Sequence, residues 1–387
     1  MFELITNANL FSPASLGIRH LLVCAGKIVF IGEQLPRLDD AFEINVTDLG
    51  GARLVPGLID AHTHLTGGGG EAGPSTRVPP LALSQITSAG VTSVIGLLGT
   101  DDLTRSPQNL LSQVMGLREE GLSAWCYTGG YHIPVATLTG SVRGDIVNLE
   151  PVIGVGEIAI SDHRSSQPTL DEILRLASEA HVAGLMTGKA GIVHFHLGDG
   201  KRGLELIRDS LACSEIPARV FNPTHVNRNK PLFEEACELT AQGCNVDLTA
   251  FPADSGDEGW SAEDAVERYF DKGCDPSKLT ISSDGGGCLP HFNEQGELLK
   301  MGFASCSAMA HCIKSLLDRG LSEQTVLPLM TSNVAQLLKL VNKGQIATGF
   351  DADLVVLDQA NRVDSVMARG VWQVKNNKQL VSGLFEP

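Results

Sequence analysis

The sequence predicts an α/β protein: a (β/α)8 TIM barrel with a small β domain formed by the two ends of the chain. Three observations predict it. Eight apolar, strand-like runs succeed one another over the central part of the chain, most with a helical stretch behind them. Both ends carry strand-like patterns instead. Hydrophobic residues make up 43% of the chain but aromatics only 5%, so the core is aliphatic, as in α/β folds.

In order, "HLLVCAGKIVFIGE" reads as a hairpin around Ala25-Gly26, and "AFEINVTDLG" as a further short strand. The first barrel run is "LVPGLIDAH", followed by helical "PPLALSQITSAG". "VTSVIGLLG" precedes helical "NLLSQVMGLREEG", and "LSAWCYTG" precedes a long loop containing glycines. "IGVGEIAIS" is followed by "TLDEILRLASEAHVAG", "GIVHFHLG" by "GLELIRDSLAC", and "RVFNPTHV" by "PLFEEACELTAQG". "CNVDLTAF" precedes "AEDAVERYFDKG", and "KLTISSDGG" precedes "SAMAHCIKSLLDRG". After helical "TSNVAQLLKLV" the ending is strand-like again. The expected division is residues 1–53 and 346–387 for the β domain and 54–345 for the barrel.

The charge balance, 29 basic against 45 acidic residues, leaves a net −16. Such a chain is a poor nucleic-acid binder, and an anionic substrate needs local arginines. The nine cysteines are odd in number and contain no CxxC, which fits reduced thiols. The first residues lack the basic-then-apolar pattern of a signal peptide, and no apolar run suits a membrane span. A cytoplasmic protein is expected.

His62 and His64 lie two apart at the end of the first run, so both imidazoles can face one ion. HxH alone is a weak signal, since two loop histidines that merely hydrogen-bond read the same way. Other polar groups recur at the same address: Glu157 in run four, His196 ending run five, His225 ending run six and Asp284 ending run eight. Barrel active sites lie where these strand ends open. Four imidazoles and two carboxylates there suit a pair of zinc-like ions.

The chain resembles the amidohydrolase superfamily, and within it the isoaspartyl dipeptidases. The resemblance runs from the N-terminal strands to the C-terminus and is dense around "HTHLTGGGGEAGP", "GVTSVIGLLGTD", "TGGYHIP", "AISDHRS", "PTHVNRN" and "SSDG". It implies two Zn2+ ions, the first held by His62 and His64 and the second by His196 and His225. Asp284 would bind the first metal and act as general base and acid while a metal-bridging hydroxide attacks the amide carbonyl.

One position departs from the family. Its bridging ligand is typically a carboxylated lysine, and the matching residue here is Glu157. Glutamate also offers a bridging carboxylate, but on a shorter side chain, and Gly156 would let the strand end move inward to compensate. The other reading is a mononuclear site in which Glu157 binds one ion or none.

The resemblance also implies the substrate contacts. Glu71, with Gly69 and Thr100, would meet an α-ammonium, and the glycine run would let backbone crowd the substrate. Arg164 and Arg228 suit bidentate contact with carboxylates. Tyr131 would polarise the scissile carbonyl, and Cys288, where the family often has serine, would make a weaker contact. One anion and two cations around a dimetal centre match a β-aspartyl dipeptide.

The nearest alternative is another amidohydrolase, acting on cyclic amides or N-acyl amino acids, which would not need Glu71 with both arginines. A catalytically silent barrel is disfavoured because no ligand position is empty. The resemblance suggests a homo-oligomer, with an octamer as one candidate. "HLGDGKRG" lacks the Ser or Thr of a phosphate loop, and no G-x-S-x-G elbow occurs.

Overall fold

The computed structural model describes residues 2–37, 39, 43–250, 258–292 and 298–386. Eight parallel strands form the barrel: Leu58–Thr63, Val91–Gly96, Ser123–Thr128, Val152–Ile160, Ile192–Leu197, Phe221–Thr224, Val246–Thr249 and Leu279–Ser282. The first six hydrogen-bond in sequence order, and the last two pair with each other. Two seams complete the ring. Val226 N–H donates to the Asp247 carbonyl at 3.3 Å between strands six and seven. Between strands eight and one, His64 N–H donates to the Gly285 carbonyl at 2.7 Å, beside a bridge from Thr63 to Gly285.

Several of the helices behind the strands start at capping side chains. Ser106 accepts from Asn109 N–H ahead of Pro107–Glu119, and Asn229 from Leu232 N–H ahead of Lys230–Ala241. Thr169 and Glu172 form a reciprocal capping box on Leu170–Thr187, and Gly188 ends that helix with φ 75°. Val94, Leu110, Val114, Val155, Phe195 and Ile281 belong to the core that strands and helices share. In a second cluster, Ile59, Ile95, Tyr127 and Ile153 pack with Val334 and Leu337 of the helix Ser332–Leu337. With apolar contact along the strands, the polar groups collect at their C-terminal ends.

The chain ends form a separate sheet. Its strands run Lys378–Gln379, Val371–Lys375, Val363–Ala368, Leu354–Leu357, Arg53–Pro56, Phe2–Phe11, Ser15–Cys24 and Lys27–Gly32, with Ile44–Asp48 also on Phe2–Phe11. The expected hairpin at Ala25-Gly26 is there. Buried Lys343 ties this sheet to the barrel, donating to Ser123 Oγ at 2.6 Å and lying 2.8 Å from Asp351.

Three details differ from the sequence reading. "LVPGLIDAH" is two strands, because Arg53–Pro56 pairs with Leu354–Leu357 in the outer sheet and the barrel strand starts after Gly57. The loop after strand three contains a helix, Val142–Asn148, capped by Ser141. The loop after strand eight contains a hairpin, Cys288–Phe292 with Leu298–Phe303. Phe251 of the "CNVDLTAF" run lies outside the described residues.

Candidate metal centre

The strand ends bring the predicted ligands together. Two groups of potential ligand atoms fall within 4.8 Å of one another: His62, His64 and Asp284, and His62, Glu157 and His225. All five side chains are buried. Glu157 lies between the imidazoles. Its Oε1 is 3.5 Å from His64 Nε2, and its Oε2 is 3.5 Å from both His62 Nε2 and His225 Nε2. His196 stands outside both groups, with its Nδ1 3.2 Å from Glu157 Oε2. Asp284 Oδ1 is 3.0 Å from His64 Nε2 and 3.4 Å from His62 Nε2.

Backbone and glycines shape this cluster. His225 and Asp284 are both left-handed, with φ 60° and 56°, a conformation that costs energy for residues other than glycine and marks functional sites. A side chain on Gly287 would collide with Asp284, and one on Gly99 would place Cβ 2.7 Å from His64 Cε1. At Gly156, which precedes Glu157, a Cβ would lie 2.7 Å from the His194 carbonyl oxygen.

Hydrogen bonds fix the tautomers. Asn222 Nδ2 donates to the Asn245 carbonyl, so its Oδ1 accepts from His194 Nδ1 at 2.7 Å. His194 Nε2 must then accept, and His62 Nδ1 donates to it at 2.9 Å. The His62 Nε2 lone pair is therefore aimed at the oxygens of Glu157 and Asp284. His196 follows the same logic: Nε2–H donates to Asp162 Oδ2 at 3.1 Å, and the Nδ1 lone pair faces Glu157. Burial keeps these rings neutral, holding His196 down at about 3 and His194 and His225 well below the usual histidine range.

Lone pairs converging on carboxylate oxygens repel unless a cation lies among them. Consistently, His62 Nε2, His64 Nδ1, Glu157 Oε1 and Asp284 Oδ1 are buried without a hydrogen-bond partner among the described residues. Burial and the Asp284 charge push the Glu157 carboxyl well up, opposed by Arg164 and Arg228. The donor set fits divalent metal ions.

Of the predicted substrate residues, Tyr131 and Arg164 touch His196 of this cluster, and Glu71 is reached through Arg164. Arg164 forks onto Asp162, with Nη2–Oδ2 2.7 Å and Nε–Oδ1 3.1 Å, and its Nη1 reaches Glu71 Oε1 at 3.3 Å. Its guanidinium lies 5.6 Å from the centre of the Tyr131 ring. Tyr131 is buried, with its hydroxyl 2.8 Å from His196 Nδ1. Arg228 makes one ion contact among the described residues, at 4.0 Å to the exposed Asp199. Thr100 is half-buried just past strand two. Cys288 sits beside Gly69, its thiol pushed up to about 12 by burial and by the Glu71 and Asp284 charges.

The glycine run makes room for the chain itself. Side chains at Gly67 and Gly69 would collide with the carbonyl oxygens of Val78 and Thr76, where the loop folds back, and both glycines have positive φ.

Asp162, His194, Asp60 and Thr249 support the cluster and were not singled out from the sequence. Thr249 Oγ1 lies 2.6 Å from His225 Nδ1, and Asp60 accepts from the backbone of His62 and Ser283. His194 had a visible signal, since "HFH" repeats on strand five the HxH of strand one.

A (β/α)8 barrel with buried imidazoles and carboxylates converging at its C-terminal strand ends has the architecture of a metal-dependent hydrolase. The chain belongs to the amidohydrolase family, whose model matches residues 53–373. It is 43% identical, with a TM-score of 0.93, to a β-aspartyl dipeptidase from the thermophilic keratin-degrading Fervidobacterium islandicum AW-1 in complex with β-Asp-Leu dipeptide. That match covers 98% of this chain and 97% of the other. A second structure of the dipeptidase from that organism is 42% identical, with a TM-score of 0.90 and 98% of each chain covered. An allantoinase of Desulfitobacterium hafniense is 23% identical over 92% of this chain and 86% of its own length.

Proposed function

We propose that the protein hydrolyses β-aspartyl dipeptides to aspartate and a free amino acid, using two zinc ions bridged by Glu157. The observation that carries this reading is the placement of Arg164. One side of its guanidinium meets Glu71, and Nη2 lies 3.4 Å from His196 Nε2 at the cluster. Opposite charges thus stand together beside a candidate metal ligand. The whole-chain likeness to a β-aspartyl dipeptidase supports the same substrate class.

His62, His64 and Asp284 would hold one ion and His196 and His225 the other, with the Glu157 carboxylate between them. Bound metal supplies Lewis acidity and lowers the pKa of the attacking water. Asp284 takes a proton from that water and returns it to the departing amine. Tyr131 donates its hydroxyl to the scissile carbonyl oxygen as charge develops there. Glu71, with Gly69 and Thr100, receives the α-ammonium. Arg164 and Arg228 receive the carboxylates, and Cys288 lies beside them as a weak donor.

The same reading takes residues 1–53 and 346–387 as a β domain beside a barrel of residues 54–345, in a cytoplasmic homo-oligomer. Among the described residues no helix is long and apolar enough to cross a membrane. Assay of purified protein with β-Asp-Leu, α-Asp-Leu and a cyclic amide tests the substrate class. Cleavage of β-Asp-Leu alone is expected, and turnover of the cyclic amide alone would support the alternative amidohydrolase reading.

A further inference from the structure

Arg105 is a buried cation outside the ligand cluster, and nothing in the proposed chemistry uses it. It is 4% exposed. Every arm of its guanidinium is spent on one segment of chain. Nε donates to the Thr66 carbonyl at 3.0 Å, Nη2 to the Val78 carbonyl at 2.9 Å, and Nη1 to the Gly69 carbonyl at 3.4 Å. Nη1 also donates to Asp101 Oδ2 at 3.1 Å.

These partners lie on two different loops. Thr66, Gly69 and Val78 bracket the glycine-rich loop that carries Glu71, whereas Asp101 directly follows Thr100. Elsewhere the loop is held at a few points: Gly68 N–H reaches the Gly286 carbonyl at 2.8 Å, Val78 N–H returns to the Gly68 carbonyl at 2.9 Å, and Glu71 Oε1 accepts from Arg164 Nη1 at 3.3 Å. The half-exposed Arg77, 3.7 Å from Asp101 Oδ2, is a weaker second tie between the two loops. Its glycines leave it without side-chain packing of its own, and glycine-rich backbone is costly to order. A planar fork with several fixed donors can order such a segment, where the single ammonium of lysine cannot reach all the acceptors together. A buried guanidinium is stable only when charge-paired and hydrogen-bonded, which Asp101 and the carbonyls provide.

We propose that Arg105 is a positioning residue for ammonium recognition: by stapling the glycine loop to the Asp101 loop, it sets the spacing of Gly69, Glu71 and Thr100. This rests on the substrate reading above. Arg105 itself touches no substrate. Its effect would fall on ligands that carry an α-ammonium and spare ligands that lack one, because Arg228 and the metal cluster lie on other loops and Arg164, though it touches Glu71, stays forked onto Asp162 when Glu71 shifts.

The test compares β-Asp-Leu with N-succinyl-leucine, the same molecule without its α-amino group, as a competitive inhibitor. In Arg105→Lys the KM for β-Asp-Leu is expected to rise about tenfold or more, while the Ki of succinyl-leucine stays within about twofold of wild type and bound metal is unaltered. Asp101→Asn keeps the arginine but loosens both its anchor and the weaker Arg77 contact between the same loops, so the same selective change is expected, and it decides the matter if Arg105→Lys fails to fold. A parallel rise of KM and Ki, or no change in either, would overturn the assignment. Failure of the wild-type protein to cleave β-Asp-Leu would instead count against the substrate reading.

Discussion

Arg164 Nη1 stands 3.3 Å from Glu71 Oε1, with the two side chains only 17% and 14% exposed. Each charge is thus the other's partner when no substrate lies between them. A ligand that brings an ammonium and a carboxylate can replace both halves of the pair at once. An N-acetylated β-aspartyl dipeptide offers only the carboxylates and would leave Glu71 facing a neutral amide. Its kcat/KM is expected to be about 100-fold or more below that of free β-Asp-Leu, measured under the same conditions. Comparable values would remove Glu71 from ammonium recognition.

Tyr131 carries the second prediction. Its hydroxyl lies 2.8 Å from His196 Nδ1, and burial and the Glu157 charge push its pKa well up, so it remains a proton donor. Tyr131→Phe removes one donor to the developing oxyanion and should lower turnover by roughly 10²–10³. Metal content should be unaltered by plasma emission analysis. Wild-type turnover in the variant would make the ring a packing element only.

Asp162 joins two functions. It accepts from His196 Nε2 and holds Arg164 in a fork, and those bonds keep its carboxyl ionised despite burial. In Asp162→Asn the His196 tautomer is no longer fixed, and Arg164 loses its charge partner. Metal affinity, measured by chelator competition, should fall about 10- to 100-fold, with KM rising in parallel. Unchanged affinity would mean that Asp162 serves only the arginine.

Much of this arrangement was legible in the sequence because barrel strands alternate with helices and deliver their end residues to one face. His62, His64, His196, His225 and Asp284 could each be placed at a strand end without knowing any contact. What supports them could not. Asp162 meets His196, and His194 meets His62, across different strands, and no local spacing shows that a ring two residues from a candidate ligand orients a different ligand. The split at Gly57 was hidden for a related reason, since one apolar run serves two sheets and only the pairing with Leu354–Leu357 separates them. The glycine run suggests backbone crowding a substrate, whereas Gly67 and Gly69 also make room for the returning backbone.

Glu157 carries the fourth prediction. A glutamate bridge needs no carbon dioxide for assembly, unlike a carboxylated lysine. Metal-stripped protein in bicarbonate-free buffer should therefore regain full activity with zinc alone. Glu157→Gln should bind the metal pair more weakly, because a neutral amide cannot balance two dications. A strict bicarbonate requirement would point to a lysine bridge, and normal metal binding by Glu157→Gln would take Glu157 out of the site.

The most direct test is the initial rate of β-Asp-Leu cleavage by metal-stripped protein as zinc is added back, with α-Asp-Leu run alongside. The rate should rise from near zero to a plateau at about two zinc ions per chain, with α-Asp-Leu cleaved at least about 100-fold more slowly throughout. Equal cleavage of the two isomers, or a rate independent of zinc, would contradict a metal-dependent β-aspartyl dipeptidase.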